Sequence, residues 1–265
     1  MTQQKLTDAI ASNDPETRMW KSRFSAAKGA YEMGEFHQCE TLLFRALEQA
    51  KALKESNFAT NTCHVGLGAL YIATGKIDKA REQLKTAMNT LSHGSEPAIK
   101  ELYAVALRFN GGILSLSGDY PAAEDQLKIA IKTLEEVGSE GACQLAYTIS
   151  DLALLNVIQG NLKEARELIF TAMQLLESVM GIENPEYIRA NIIYSICDSE
   201  SDEEFLAQAE ESISTMQYQR GHKHPNITRA LRWYIKKRQE RGETEKISEV
   251  KERFDLHAKA LAFGK

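Results

Sequence analysis

The side chains capable of chemistry are scattered along this chain rather than gathered. His222 and His224 stand two apart beside an acidic run. A metal site needs three or four convergent ligands, and no third ligand accompanies this pair. Cys63-His64 and the distant His93 supply a thiol and imidazoles. A cysteine nucleophile also needs a base that a third group orients, and this spacing offers none. The 37 acidic side chains make carboxylate pairs inevitable by count, so none is singled out for acid–base work. There is no phosphate-cradling glycine loop, serine elbow, HExxH or kinase signature. Neither catalysis nor a cofactor or metal is expected.

Cys39, Cys63, Cys143 and Cys197 match neither a CxxC redox pair nor a short metal-binding pair. They read as small buried residues in a reducing compartment, which points to the cytoplasm. The net charge of -5 gives no general attraction to nucleic acid or anionic membrane. Residues 198–211 are acidic, from Asp198 to Glu211. Residues 220–241 are basic, from Arg220 to Arg241. Opposite signs on neighbouring helices attract each other. The basic stretch lacks the interleaved aromatic platform that single strands favour, so nucleic acid is not expected as a partner. Met1 to Asp14 holds no apolar run of a secretory leader. No stretch approaches the 18 apolar residues of a membrane span, so no membrane insertion is expected.

What must position any site is a helical scaffold. Of 265 residues only 16 are glycine and 5 proline, which excludes collagen and long flexible linkers. Four fragments begin alike: GEFHQCETLLFRAL at Gly34, GKIDKAREQLKTAM at Gly75, GDYPAAEDQLKIAI at Gly118 and GNLKEARELIFTAM at Gly160. Each has a small residue five after its glycine (Cys39, Ala80, Ala123, Ala165). A large apolar one follows (Leu43, Leu84, Leu127, Ile169), then an alanine (Ala46, Ala87, Ala130, Ala172). The glycines are spaced 41, 43 and 42 apart. The apolar spacing after each glycine is one helix face. A second helix precedes each glycine, with its own small residue seven back: Ala27, Gly68, Gly111 and Ala153. Each unit therefore reads as two helices crossing closely through small residues, with glycine in the turn.

This arrangement resembles the tetratricopeptide repeat. Leu67, Gly68, Tyr71, Gly75, Ile77, Ala80, Leu84 and Ala87 follow its pattern. The family period is about 34. The longer period here resembles the kinesin-light-chain variant, whose links read Gly-x-x-His-Pro. Gly181-Ile-Glu-Asn-Pro185 and Gly221-His-Lys-His-Pro225 match that form, the first with Asn for His. Gly94-Ser-Glu-Pro97 is a looser echo. The resemblance implies an all-α fold, a right-handed α-α superhelix of about six helical hairpins over residues 20–261. Units start at Trp20, Asn61, Ala104, Ala146, Ile188 and Thr228. Residues 1–19 form a tail or short extra helix. Residues 243–261 cap the stack through Ile247, Val250, Phe254, Ala258 and Leu261.

In this family the first helices line an inner groove. Carried over by position, the groove residues are Lys21, Phe24, Lys28 and Tyr31 in unit one, Val65 and Ile72 in unit two, and Arg108 in unit three. Unit four gives Tyr147 and Leu154, unit five Arg189 and Ile192, and unit six Arg229, Arg232 and Lys236. Apolar positions mid-groove suit a peptide or amphipathic helix with apolar anchors. The arginines suit its acidic groups. The Lys and Asn of the family's dicarboxylate clamp are absent at their positions, as is the kinesin-light-chain asparagine ladder. The resemblance thus implies an adaptor or scaffold that binds a protein or peptide without catalysis. The alternative is a sensor of a peptide or small effector, of the bacterial regulator type. Such regulators usually carry an effector domain, and none fits in residues 1–19. Self-association of an open-ended stack is open in either reading.

Overall fold

A computed structural model describes residues 14–53 and 56–198. Beyond these it describes only isolated positions (207, 210–212, 214, 239, 242, 248 and 252). Among the described residues there are helices and no strands: α1 Pro15–Glu32, α2 Phe36–Ala52, α3 Ser56–Ala73, α4 Ile77–Leu91, α5 Pro97–Leu116, α6 Tyr120–Val137, α7 Ala142–Gln159, α8 Leu162–Met180 and α9 Pro185–Asp198. A 3-10 turn, Gly138–Gly141, joins α6 to α7. Within one unit of the fold α1 meets α2 through Arg23 and Gln49, α3 packs on α4 and α5 on α6; in a second, α8 packs along α9. The sixth hairpin and the cap expected over 243–261 lie outside the described residues, apart from isolated positions.

Glycine makes the hairpin turns because the chain there adopts a left-handed conformation that a Cβ disfavours. Gly75 has φ +73° and Gly118 φ +81°. After each, the next residue's N–H reaches back five residues: Lys76 donates to the Tyr71 carbonyl at 2.8 Å, and Asp119 to that of Leu114 at 3.0 Å. That bond closes a helix C-terminus on its orphan carbonyls. Gly242 shares the positive φ, and its N–H donates to the Gln239 carbonyl three residues back, as Gly75 does to Ile72.

The first helices begin several residues ahead of the positions expected from the repeat register. Asp14 explains α1: its Oδ1 accepts from the Glu16 and Thr17 N–H groups at 2.9 and 3.0 Å. Pro15 then occupies the first turn, where no N–H is missed. Asn184 does the same for α9, accepting from Glu186 N–H at 2.9 Å, so asparagine in place of histidine at that link is a helix cap.

The chain divides into two units, residues 14–30 with 36–151, and residues 31–35 with 152 onward. In the first, the small residues serve as read. Ala80, Ala87, Ala123 and Ala130 have no exposed surface, and Leu84 and Leu127 almost none. A Cβ built on Gly68 would stand 2.7 Å from Leu84 Cγ, and one on Gly111 3.1 Å from Leu127 Cγ. Glycine thus lets α3 and α4, and α5 and α6, approach until leucine meets backbone. Each such leucine contributes about 1.5–3 kcal/mol by its burial. In the second unit Ala165, Ile169 and Ala172 are fully buried, and α8 packs along α9.

One helical run, Tyr120–Gln159, is long and apolar enough by length and composition to cross a membrane. Half of its apolar window is buried within the fold, and Leu127, Leu134, Ala146 and Leu155 of the run are buried. That is the pattern of a core element.

Candidate functional site

The first helices α1, α3, α5 and α7 carry the positions that sequence assigns to a binding face. Neighbouring first helices meet one or two positions out of step within the first unit. Trp20 Nε1 lies 3.5 Å from Cys63 Sγ, and Arg108 Nη1 lies 3.3 Å from Asp151 Oδ2. Both pairs are separated by 43 residues, which is one repeat of 41 plus two steps for the first and one repeat of 42 plus a single step for the second. Phe24 follows suit, its ring edge 3.3 Å from where a Cβ on Gly66 would sit.

The α5–α7 seam is the most polar part of this face. The Arg108 guanidinium lies over the Phe109 ring at 4.6 Å and the Tyr147 ring at 5.5 Å. Rings and cation attract through the ring quadrupole. The Arg108 side chain is 12% exposed and that of Asp151 25%. Arg108 Nε is buried and has no acceptor. The same is true, as an acceptor, of Gln144 Oε1. Gln144, Tyr147 and Asp151 recur at helical spacing, so all three share one face of α7.

The expected groove residues divide into three groups. Lys21, Phe24, Tyr31, Ile72, Arg108, Tyr147 and Leu154 are partly exposed, and Lys28 is fully so. Phe24 stacks against Trp20 with ring centroids 6.1 Å apart. Val65 and Ile192 are buried at 5% exposure and pack within their units. Arg189 is also buried, and its Nε donates to Glu186 Oε2 at 2.7 Å within α9. Arg229, Arg232 and Lys236 lie outside the described residues. So do His222, His224 and most of the acidic and basic runs.

Sequence reasoning missed Asp151 as the partner of Arg108. The signal was present in the register: a residue on one first helix meets one 42 or 43 further on, a step or two past its counterpart. It also missed Gln144, which lies ahead of the assigned start of its unit.

The Cys39 and Cys63 thiols are buried, which disfavours the reactive thiolate. Burial pushes Cys39 up to about 12, with Glu40 adding to the rise. Burial pushes Cys63 up to about 11 against the opposing Trp20 N–H. Among the described residues, no three His, Cys, Asp or Glu side chains converge as a metal site.

No protein-family model matches the chain, and no curated protein matches its sequence. Solved structures do overlay on it. A Rap protein complexed with competence and sporulation factor overlays with a TM-score of 0.76 at 16% identity, covering 96% of this chain and 67% of that one. The Rap conjugation gene regulator of the plasmid pLS20, in complex with the Phr* peptide, gives 0.72 at 16% identity, covering 98% and 67%. Aspartyl phosphate phosphatase F from Bacillus subtilis gives 0.72 at 16% identity, covering 95% of this chain but 62% of its own.

These overlays correct two expectations. The kinesin-light-chain variant is too narrow, because Rap-type structures match over nearly the whole chain. The exclusion of enzymatic activity does not stand either. A protein named as a phosphatase shares this fold, so a helical-repeat scaffold without a familiar catalytic motif is no ground for ruling out catalysis. At these identities the likeness is one of fold. The chain has an all-α helical-repeat fold similar to that of Rap-type and tetratricopeptide-like repeat structures.

Proposed function

We propose that this chain is a peptide-responsive regulatory module of the Rap type. The observation that carries the reading is the overlay of 98% of the chain on a regulator in complex with a peptide. It favours the sensor alternative over the scaffold reading. The partly exposed first-helix positions of the first unit supply what an extended peptide requires. Phe24 and Ile72 offer apolar contacts, Tyr147 an amphipathic ring, and Arg108 a charge. A peptide lying across α3, α5 and α7 would bridge neighbouring hairpins. Its binding energy would then favour one packing of those hairpins over another, which is how occupancy would reach a downstream partner.

The test is a thermal-shift screen against synthetic pentapeptides and hexapeptides of mixed sequence. A ligand at a hundred times its Kd stabilises the folded state by about 2.7 kcal/mol, so binders raise the Tm. If no peptide shifts the melt at millimolar concentration, the reading fails. Binding of a folded partner without any short peptide would restore the scaffold reading.

A further inference from the structure

We infer that Arg108 is the carboxylate receptor of the peptide-binding face, so that the ligand is a short peptide carrying a free carboxylate against the α5–α7 seam. The inference rests on the peptide-sensor reading above and narrows its ligand class. A guanidinium has five N–H donors in a rigid fork and no acceptor. In Arg108 one edge is committed, with Nη1 at 3.3 Å from Asp151 Oδ2. Nε, on the other edge, is shielded from water and has no acceptor. The guanidinium also lies over the Phe109 and Tyr147 rings. A desolvated cation with unmet donors is held at a cost. The side chain as a whole keeps 12% of its surface exposed, so it lies at the edge of the face rather than deep in the core.

A carboxylate is the group that matches the unmet edge of the fork bidentately. Gln144 adds an independent requirement. Its Oε1 is a buried acceptor without a donor, on the same face of α7 as Tyr147 and Asp151. An unmet donor and an unmet acceptor along one seam fit a ligand that brings both groups. A peptide does so, with a carboxylate for Arg108 and an amide N–H for Gln144. The carboxylate can come from an acidic side chain or from a free C-terminus.

The experiment is affinity selection from an equimolar pentapeptide library, read by mass spectrometry, using the full chain. The library is made in four forms: with a free or amidated C-terminus, and with or without Asp and Glu. Capture of the forms bearing a carboxylate is expected to exceed capture of the amidated, acid-free form by about tenfold or more. Loss confined to amidation assigns the C-terminus; loss confined to the acid-free sets assigns a side chain. Arg108→Gln should abolish the preference, and Arg108→Lys should keep part of it. Equal capture of amidated, acid-free peptides by the wild type overturns the inference and leaves the peptide-sensor reading standing. Capture of no peptide at all overturns both. The four-form comparison on the wild type needs no variant to fold.

Discussion

Arg108 on α5 and Asp151 on α7 form an ion pair across neighbouring hairpins, with both side chains mostly out of water. Such a pair gains little over apolar residues of the same volume but is costly to break on one side. Asp151→Ala leaves a desolvated guanidinium and is expected to destabilise the fold by about 1–3 kcal/mol. Arg108→Met, which keeps the volume and removes the charge, is expected to stay within about 1 kcal/mol of the wild type. Urea unfolding of the two variants checks the asymmetry. Equal losses would mean that the pair is held by attraction rather than by the cost of leaving the cation alone.

The close approach of α3 and α4 predicts a different contrast. Gly68→Ala drives a Cβ into Leu84, at 2.7 Å from both Cγ and Cδ2. Overpacking of this kind costs about 1–3 kcal/mol. Gly112→Ala, on the exposed side of α5, meets nothing within 4 Å. Alanine is the better helix former there, so a gain of about 0.5–1 kcal/mol is expected. Thermal unfolding of the pair would show opposite shifts in Tm. A neutral Gly68→Ala would refute the backbone-to-leucine packing.

The cysteines should separate by burial. Cys39 and Cys63 are buried and their thiols are held far above neutral pH. Cys143 and Cys197 are only partly buried. Thiolate is the reactive form, so under native conditions a thiol reagent should modify Cys143 and Cys197 first. Cys39 and Cys63 should react only as the chain unfolds. Peptide mapping after timed labelling reads this directly, and rapid native labelling of Cys63 would contradict its place beneath Trp20.

Glu101 carries a pH dependence. Burial, with the Glu140 charge adding to it, raises the Glu101 carboxyl above its ordinary value. The folded state then holds its proton where the unfolded state has released it. Stability therefore falls as pH rises from the ordinary carboxylate range through the raised value. Glu101→Gln should be more stable than the wild type at neutral pH, with the difference closing in acid. Unfolding midpoints measured from about pH 4 to pH 7 check the sign, and a variant less stable at neutral pH would show that the carboxylate has an unrecognised partner.

The hairpin interiors were legible because they obey short-range geometry. Gly75 fixes a turn, Ala80 and Ala87 fix a face, and Leu84 must meet the residue 16 before it, which is Gly68. None of this depends on a neighbouring unit. The binding face was legible in position but not in exposure. Phe24 and Val65 occupy the same place in the register, yet one is partly exposed and the other buried. The packing of adjacent hairpins decides that, and it cannot be read from one repeat. Arg108 was legible as a cation; its pairing with Asp151 required knowing that α5 and α7 are offset by one step. The start of α1 was missed because Asp14 and Pro15 define it by capping rather than by apolar periodicity.

The spacing between units has a consequence for how such a chain can be altered. From small residue to large apolar residue, every hairpin counts 16: Ala27 to Leu43, Gly68 to Leu84, Gly111 to Leu127 and Ala153 to Ile169. The uneven period of 41, 43 and 42 is absorbed after the second helix's last alanine, toward the links that precede Pro97 and Ala142. Hairpins are thus fixed cassettes joined by adjustable couplings. Residues added or removed at a coupling should be absorbed, whereas one added between Gly68 and Leu84 would rotate one packing face away from its partner. A cassette cut at its couplings is the natural piece to transplant into another chain, with its internal fit intact.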